Sequence, residues 1–256
     1  IMMVGSLIFL GCPLRMVLRL AGGDANALVG LAGFIAGVAC GAFLLRKGFS
    51  LGRAQNTTTV SGLILPASTI VLFVLGLAGV FLASSEGPGS MRAPIALALI
   101  IGLAGGALAQ RSRLCMAGGF RDLILIKDGS LALQFAGIFV VMLIYNLVTK
   151  NFHFGFADQP VAHTMQLWNF LGLYTVGLAA VMAGGCPLRQ LILAGQGNND
   201  SAVTFLGLLV GAAFCHNFGW AASPDGVPVA GQIACVVCIA ILWALGLILC
   251  RKQKAA

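Results

Sequence analysis

Charge vanishes from this chain for long stretches at a time. Ala25–Leu45, Leu63–Leu82, Pro94–Ala109, Leu131–Thr149, Gln166–Gly184, Ser201–Asn217 and Ala230–Cys250 hold no Asp, Glu, Lys or Arg. A helix of about 20 such residues crosses a hydrocarbon core of about 30 Å. Only 9% of all residues are charged, 59% are hydrophobic and the mean hydropathy is +1.01. A soluble domain carries about 25% charge, so a soluble enzyme, a disordered chain and a nucleic-acid binder are excluded. The expectation is an all-α polytopic membrane protein, with the lipid bilayer as its solvent. Glycine, at 35 residues, favours close helix packing and broken helices. Ile1–Gly11 is apolar but too short to span, and reads as a half-helix or the end of a span.

The net charge of +8 marks topology before it marks a polyanionic partner. Arg251, Lys252 and Lys254 place the C-terminus in the cytoplasm. Counting spans backwards puts Arg189; Arg111, Arg113, Arg121 and Lys127; and Arg46, Lys47 and Arg53 on the same side, 11 bases in all. Arg15, Arg19, Arg92 and Lys150, 4 bases, fall outside. This is the pattern of a multi-pass protein of the bacterial inner membrane. No charged n-region precedes the first apolar run, so no secretory signal is expected.

Gly11-Cys12-Pro13-Leu14-Arg15 recurs as Gly185-Cys186-Pro187-Leu188-Arg189, at an offset of 174. The same offset pairs Gly23 with Gly197, Gly33 with Gly207 and Gly37 with Gly211. An odd number of spans separates the copies, so they enter the membrane from opposite sides. Inverted repeats of this kind build transporters whose site lies between them. The expected organisation is one transmembrane domain, with 1–62 closing a first repeat and 63–256 holding the second. The counterpart of Gln166–Tyr174 would lie ahead of Ile1, which suggests an N-terminal truncation.

Proline cannot continue the helix before it but suits the first turn of a new one. Cys12 and Cys186 therefore sit at breaks, ahead of half-helices starting at Pro13 and Pro187. Free N–H groups and the positive dipole end make such a break favourable to an anion. Arg15 and Arg189, in the first turn, add positive charge. Irregular backbone at membrane depth persists only where it lines a cavity or is packed in protein. The plainer alternative is a proline kink with a packed Cys and a snorkelling Arg. A third element, Arg111-Ser-Arg113-Leu-Cys115-Met-Ala-Gly118-Gly119-Phe-Arg121-Asp122, repeats this logic, with Gly118-Gly119 expected to break any helix. Asp122 can pair with Arg121 or hold Arg113; the alternative is a basic cytoplasmic loop. Candidate pathway residues are thus Cys12, Cys115, Cys186, Arg15, Arg113, Arg189, Gly11, Gly185, Pro13 and Pro187.

The other cysteines read as small apolar residues. Cys40 belongs to the Gly33, Gly37, Gly41 stripe, and Cys235 and Cys238 share one side of a span. Cys215-His216 lacks a second ligand pair of zinc spacing, so no metal is expected. His153 and His163 flank a loop and are expected to be solvated. Gly195–Asp200 is a turn without the ending of a phosphate loop; no cofactor is expected.

The paired Gly-Cys-Pro-Leu-Arg and the Arg-x-Arg-x-Cys-…-Phe-Arg-Asp element resemble the YeeE/YedE sulfur-transport family, which includes thiosulfate importers. The Leu-Arg form after Gly-Cys-Pro is most similar to the YedE-related branch linked to selenium metabolism. The resemblance implies an hourglass-like helical fold with cysteines at its constrictions, Cys12, Cys115 and Cys186 passing the substrate between them. The family's early Cys-…-Phe-x-Arg-Asp element has no match here.

Two functional readings follow. In the first, the protein is not an enzyme but a permease for a small sulfur or selenium anion, since a weak S–H donor holds a soft anion without trapping it. A cytoplasmic sulfur-carrier protein is a further expected partner. In the second, a membrane sulfurtransferase, a thiolate attacks sulfane sulfur. No general base neighbours any of these cysteines in sequence, which favours transport.

Overall fold

The computed structural model describes residues 1–52, 58–79 and 93–254. Arg53, Arg92 and the side chains of Arg251, Lys252 and Lys254, which enter the orientation count, lie outside the described residues. The helices in chain order are α1 (Met2–Phe9), α2 (Pro13–Ala21), α3 (Ala25–Arg46), α4 (Thr59–Leu77), α5 (Ile95–Arg111), α6 (Met116–Ile126), α7 (Ser130–Val148), α8 (Gln166–Met182), α9 (Pro187–Gly195), α10 (Asn199–Asn217) and α11 (Val229–Lys254). Among the described residues there is no strand, only isolated bridges such as Asp24 with Gly155.

Seven stretches of the described residues are long and apolar enough to cross a membrane. Four are single helices: α3, α4, α7 and Val229–Cys250 of α11. Three join two helices end to end: Met2–Ala21, Ile95–Ile126 and Gln166–Gly195. Apolar side chains on α4, α5, α7, α10 and α11 are exposed in bulk, among them Ile70, Ile100, Val141, Val210 and Ile233; lipid is the solvent that tolerates such a surface. The chain is a multi-pass, all-α membrane protein. α10 is not among the seven: Asn199, Asp200, His216 and Asn217 at its ends shorten its apolar stretch.

The helices form two compact units. The larger comprises Ile1–Arg53, Cys115–Leu188 and Thr204–Ala256; the smaller comprises Ala54–Leu114 and Arg189–Val203. The larger unit is built on α3 against α8, flanked by α1. Small residues decide this packing. A Cβ on Gly33 or Gly37 would enter the carbonyls of Phe170 or Tyr174, and one on Gly41 would meet the Val181 side chain. Backbone cannot rotate away as a side chain can. Gly37→Ala is therefore expected to destabilise the protein by about 1–3 kcal/mol through overpacking. Gly102→Ala, where a Cβ meets nothing within 4 Å, should leave the thermal unfolding midpoint in detergent within error. Equal midpoints for both variants would mean that α3 and α8 do not pack this closely. In the smaller unit, Gly62 meets the Gly197 backbone, and Asn199 Nδ2 donates to Ser61 Oγ at 3.0 Å.

The pentapeptide repeat is also a repeat of backbone conformation. Leu10 and Gly184 both adopt the left-handed region, at φ 62° and 79°. Gly11 N–H donates to the Ser6 carbonyl and Gly185 N–H to that of Ala180, each at 2.8 Å. These bonds close the preceding helix in the manner of a Schellman cap. α2 and α9 then start at the two prolines and each run 9 residues. They end alike, at Gly23 (φ 98°) and Gly197 (φ 85°). Asp24 N–H donates to Arg19 O and Asn198 N–H to Leu193 O, both at 3.1 Å. At Gly118-Gly119 the expected helix break is absent: α6 runs through both, and the break lies ahead of them, between Arg111 and Met116. These glycines let the first turn of α6 lie against the backbone of α7, where a Cβ on Gly119 would come within 3.2 Å of Ala132 N.

Candidate functional site

Each candidate thiol immediately precedes a short helix. Cys12 is the N-cap of α2, with extended backbone at φ −78° and ψ 170°, and Pro13 supplies a first turn that needs no N–H. Cys115 is the N-cap of α6, and its sulfur accepts the Gly118 N–H at 3.2 Å. Cys186 precedes Pro187, the first residue of α9. Such positions collect the unpaired N–H groups of a helix start.

The larger unit brings two of the three together. The Cys115 sulfur is hydrogen-bonded to both the thiol and the backbone N–H of Cys186. Both residues are buried, at 5% and 2% exposure, and neither is in a disulfide. Arg121, whose charge reaches Cys115, pairs with Asp122 at 2.8 Å. Of the two partners open to Asp122 from sequence, it takes the local one.

Cys12 lies elsewhere in the same unit, on a cavity of about 870 Å³ that Arg15, Arg19, Asp24, Lys150 and His153 also line. Arg15 is exposed and its side chain folds over Gly11, where a Cβ would come within 2.9 Å of its Cδ. Gly11 thus makes room for the arginine beside Cys12. Gly185 and Pro13 are buried, and Pro187 is half-buried.

Behind this cavity lies a polar network that sequence reasoning missed. Arg19, counted from sequence as a topology charge, is 9% exposed. Its Nε donates to Asp24 Oδ2 at 2.6 Å, its Nη1 to the Phe9 carbonyl at 2.8 Å, and its guanidinium stacks on the Phe9 ring at 4.2 Å. Asp24 Oδ1 accepts from the Asn26 N–H at 2.9 Å and caps α3. Asn26 Nδ2 reaches the Phe156 carbonyl at 2.8 Å, and Gln166 Nε2 reaches Asn26 Oδ1 at 2.6 Å. The signal was an Arg four residues beyond Arg15 and five before an Asp, which places both charges at one helix end.

His163, expected to be solvated, is 1% exposed, whereas His153 is exposed. His163 Nε2 donates to the Ile8 carbonyl at 2.7 Å and Nδ1 accepts the Met165 N–H at 3.3 Å, which defines the neutral ring. Its partners are backbone groups 155 and 2 residues away, invisible in composition. Burial pushes its pKa below the ordinary value, and Arg19 adds to this; the Ile8 bond and Asp24 oppose it. The unfolded chain therefore takes up this proton first as pH falls through about 6.5. Stability is expected to be full above that pH and to decline below it, until the folded ring also protonates. His163→Gln keeps a donor for Ile8 and does not titrate, so its unfolding midpoint should be flatter between about pH 7.5 and 5.5. An acid limb as steep as that of the wild type would assign the effect to another group.

In the smaller unit, Arg113 and Arg189 share a cavity of about 520 Å³ with Arg111, Gln110, Gln196 and Ala107. Arg189 Nη1 is buried without a hydrogen-bond partner. The described residues hold no group of three or more metal-ligating side chains.

A family model described as sulphur transport matches residues 111–255, more than half of the chain. The thiosulfate transporter TsuA of Spirochaeta thermophila is 29% identical over 125 residues, 48% of this chain and 37% of that protein. The thiosulfate transporter TsuA of Escherichia coli is 28% identical over 123 residues, 45% of this chain and 32% of that protein. The matched stretch thus spans about a third of either relative. No solved structure gives a significant match. By the extent of the family match, this chain belongs to the sulphur transport family.

Proposed function

We propose that the protein is a permease of the bacterial inner membrane for a small sulfur- or selenium-containing anion of the thiosulfate type. The observation that carries this reading is the contact between the Cys115 and Cys186 thiols, each at the start of a short helix. Two adjacent weak donors hold a soft sulfur atom loosely, as a conducting site must. Helix N-termini and arginines offset the loss of the anion's hydration. The cavity of Cys12 and Arg15 would receive the anion from outside, and the thiol pair would pass it on. The relatives named as thiosulfate transporters support the substrate class; the Leu-Arg form of the motif supports a selenium species as the alternative cargo. The matched backbone of the two Gly-Cys-Pro-Leu-Arg segments supports a repeat, inverted by the odd number of spans between the copies; the basic residues Arg251, Lys252 and Lys254 favour a cytoplasmic C-terminus, where a sulfur-carrier protein would be the acceptor.

The test is uptake of labelled thiosulfate, selenite and sulfate in cells lacking other sulfur importers. Accumulation of thiosulfate or selenite, but not sulfate, is expected. No uptake of any of them at verified surface expression would sink the reading. The same thiol contact also suits a sulfurtransferase that hands a persulfide from one cysteine to the other. A persulfide trapped on Cys115 or Cys186 during turnover would favour that second reading.

A further inference from the structure

We propose that Arg111, Arg113 and Arg189, all of the smaller unit, form an oxyanion station for the sulfonate group of the substrate. The station deepens the transport reading and rests on it for its role, but its anion binding is testable alone. α5 ends at Arg111, Ser112 is its C-cap, and Arg113 adopts the left-handed conformation at φ 55°. Arg113 N–H donates to Gln110 O at 3.1 Å and Leu114 N–H to Ala109 O at 3.0 Å. In a continuous helix, residues two apart point about 200° away from each other. The left-handed turn cancels that divergence, and both arginines line one cavity with Arg189.

Arg189 comes from the first turn of α9, and its Nη1 is buried with no partner. Among the described residues no acidic side chain lines this cavity; its polar walls are guanidinium and amide donors. Three cations on a cavity with no acidic side chain among its described lining, with an orphaned donor among them, suit a doubly charged tetrahedral oxyanion. Guanidinium forks match its oxygen edges. The chain ties the station to the thiols: Arg113 is two residues before Cys115, and Arg189 three after Cys186. Thiosulfate carries three such oxygens, so the station fits its sulfonate group.

Sulfate is the probe, because it has the oxygens without the sulfane sulfur. Labelled sulfate is titrated against the full-length protein in phosphatidylcholine nanodiscs at low salt. Saturable binding of one equivalent is expected. Arg111→Gln should weaken it by about tenfold or more, the scale of one lost charge-assisted hydrogen bond. Arg111→Lys should restore part of the affinity, and Cys235→Ala, within α11 of the larger unit, should leave it unchanged. Wild-type affinity in Arg111→Gln, or loss of binding in Cys235→Ala, would overturn the station. So would sulfate binding that disappears in phosphatidylglycerol nanodiscs, which would make the cavity a lipid-headgroup site. Sulfate binding without thiosulfate uptake would leave the station standing and remove the permease. Thiosulfate uptake without sulfate binding would do the reverse.

Discussion

Cys186→Ala is expected to cut thiosulfate uptake by at least about tenfold while leaving the protein in the membrane. The thiol is 2% exposed and hydrogen-bonded to Cys115. Alanine keeps a small apolar group ahead of Pro187, so α9 can still start, and the stability cost should stay near the common value of about 1 kcal/mol. What disappears is the polarisable donor that the permease reading assigns to the substrate. Cys186→Ser separates polarity from softness: serine keeps a donor, so its uptake should fall between that of alanine and wild type. The measurement is initial uptake rate normalised to surface protein. Wild-type rates for Cys186→Ala at equal expression would remove the thiol pair from the pathway. Cys235, buried at 0% exposure and bonded to Thr175 at 3.5 Å, is the matched control. It precedes no helix start, and Cys235→Ala should transport normally.

Asp24→Asn is expected to be the most destabilising substitution in the larger unit. Arg19 and Asp24 form an ion pair at 2.6 Å, with side chains 7% and 4% exposed. Removing one partner of a buried pair leaves an uncompensated charge, which typically costs about 3–5 kcal/mol. Asparagine retains an acceptor for the Asn26 N–H but not the charge that holds Arg19 over Phe9. The expected result is a strongly lowered unfolding midpoint in detergent, or loss of folded protein. A double substitution, Arg19→Met with Asp24→Leu, removes both charges and should recover much of the loss. If the double variant is no better than Asp24→Asn, a stranded guanidinium is not the source of the penalty.

Membrane class, helix content and the helix starts after Cys12 and Cys186 were legible in the chain because each depends on local order. A charge-free run must be buried in lipid or protein wherever it ends up. A proline after a cysteine restarts a helix whatever surrounds it, and the repeat could be aligned residue by residue. Six of the seven spanning stretches and the starts of α2 and α9 follow from these rules, while Met2–Ala21 stands in place of the expected run Ser201–Asn217. Local rules misjudged Gly118-Gly119, because two glycines weaken a helix in isolation, yet here they admit the α7 backbone.

Tertiary structure alone decided which polar groups meet. Nothing in the sequence pairs Cys115 with Cys186 while leaving Cys12 beside Arg15 and Lys150. Nor does it take His163 out of a loop and set it on the Ile8 carbonyl. Such contacts join residues far apart in the chain, and their energy comes from burial. Burial makes a donor without an acceptor costly, and it depends on how α1, α3 and α8 pack rather than on any single segment.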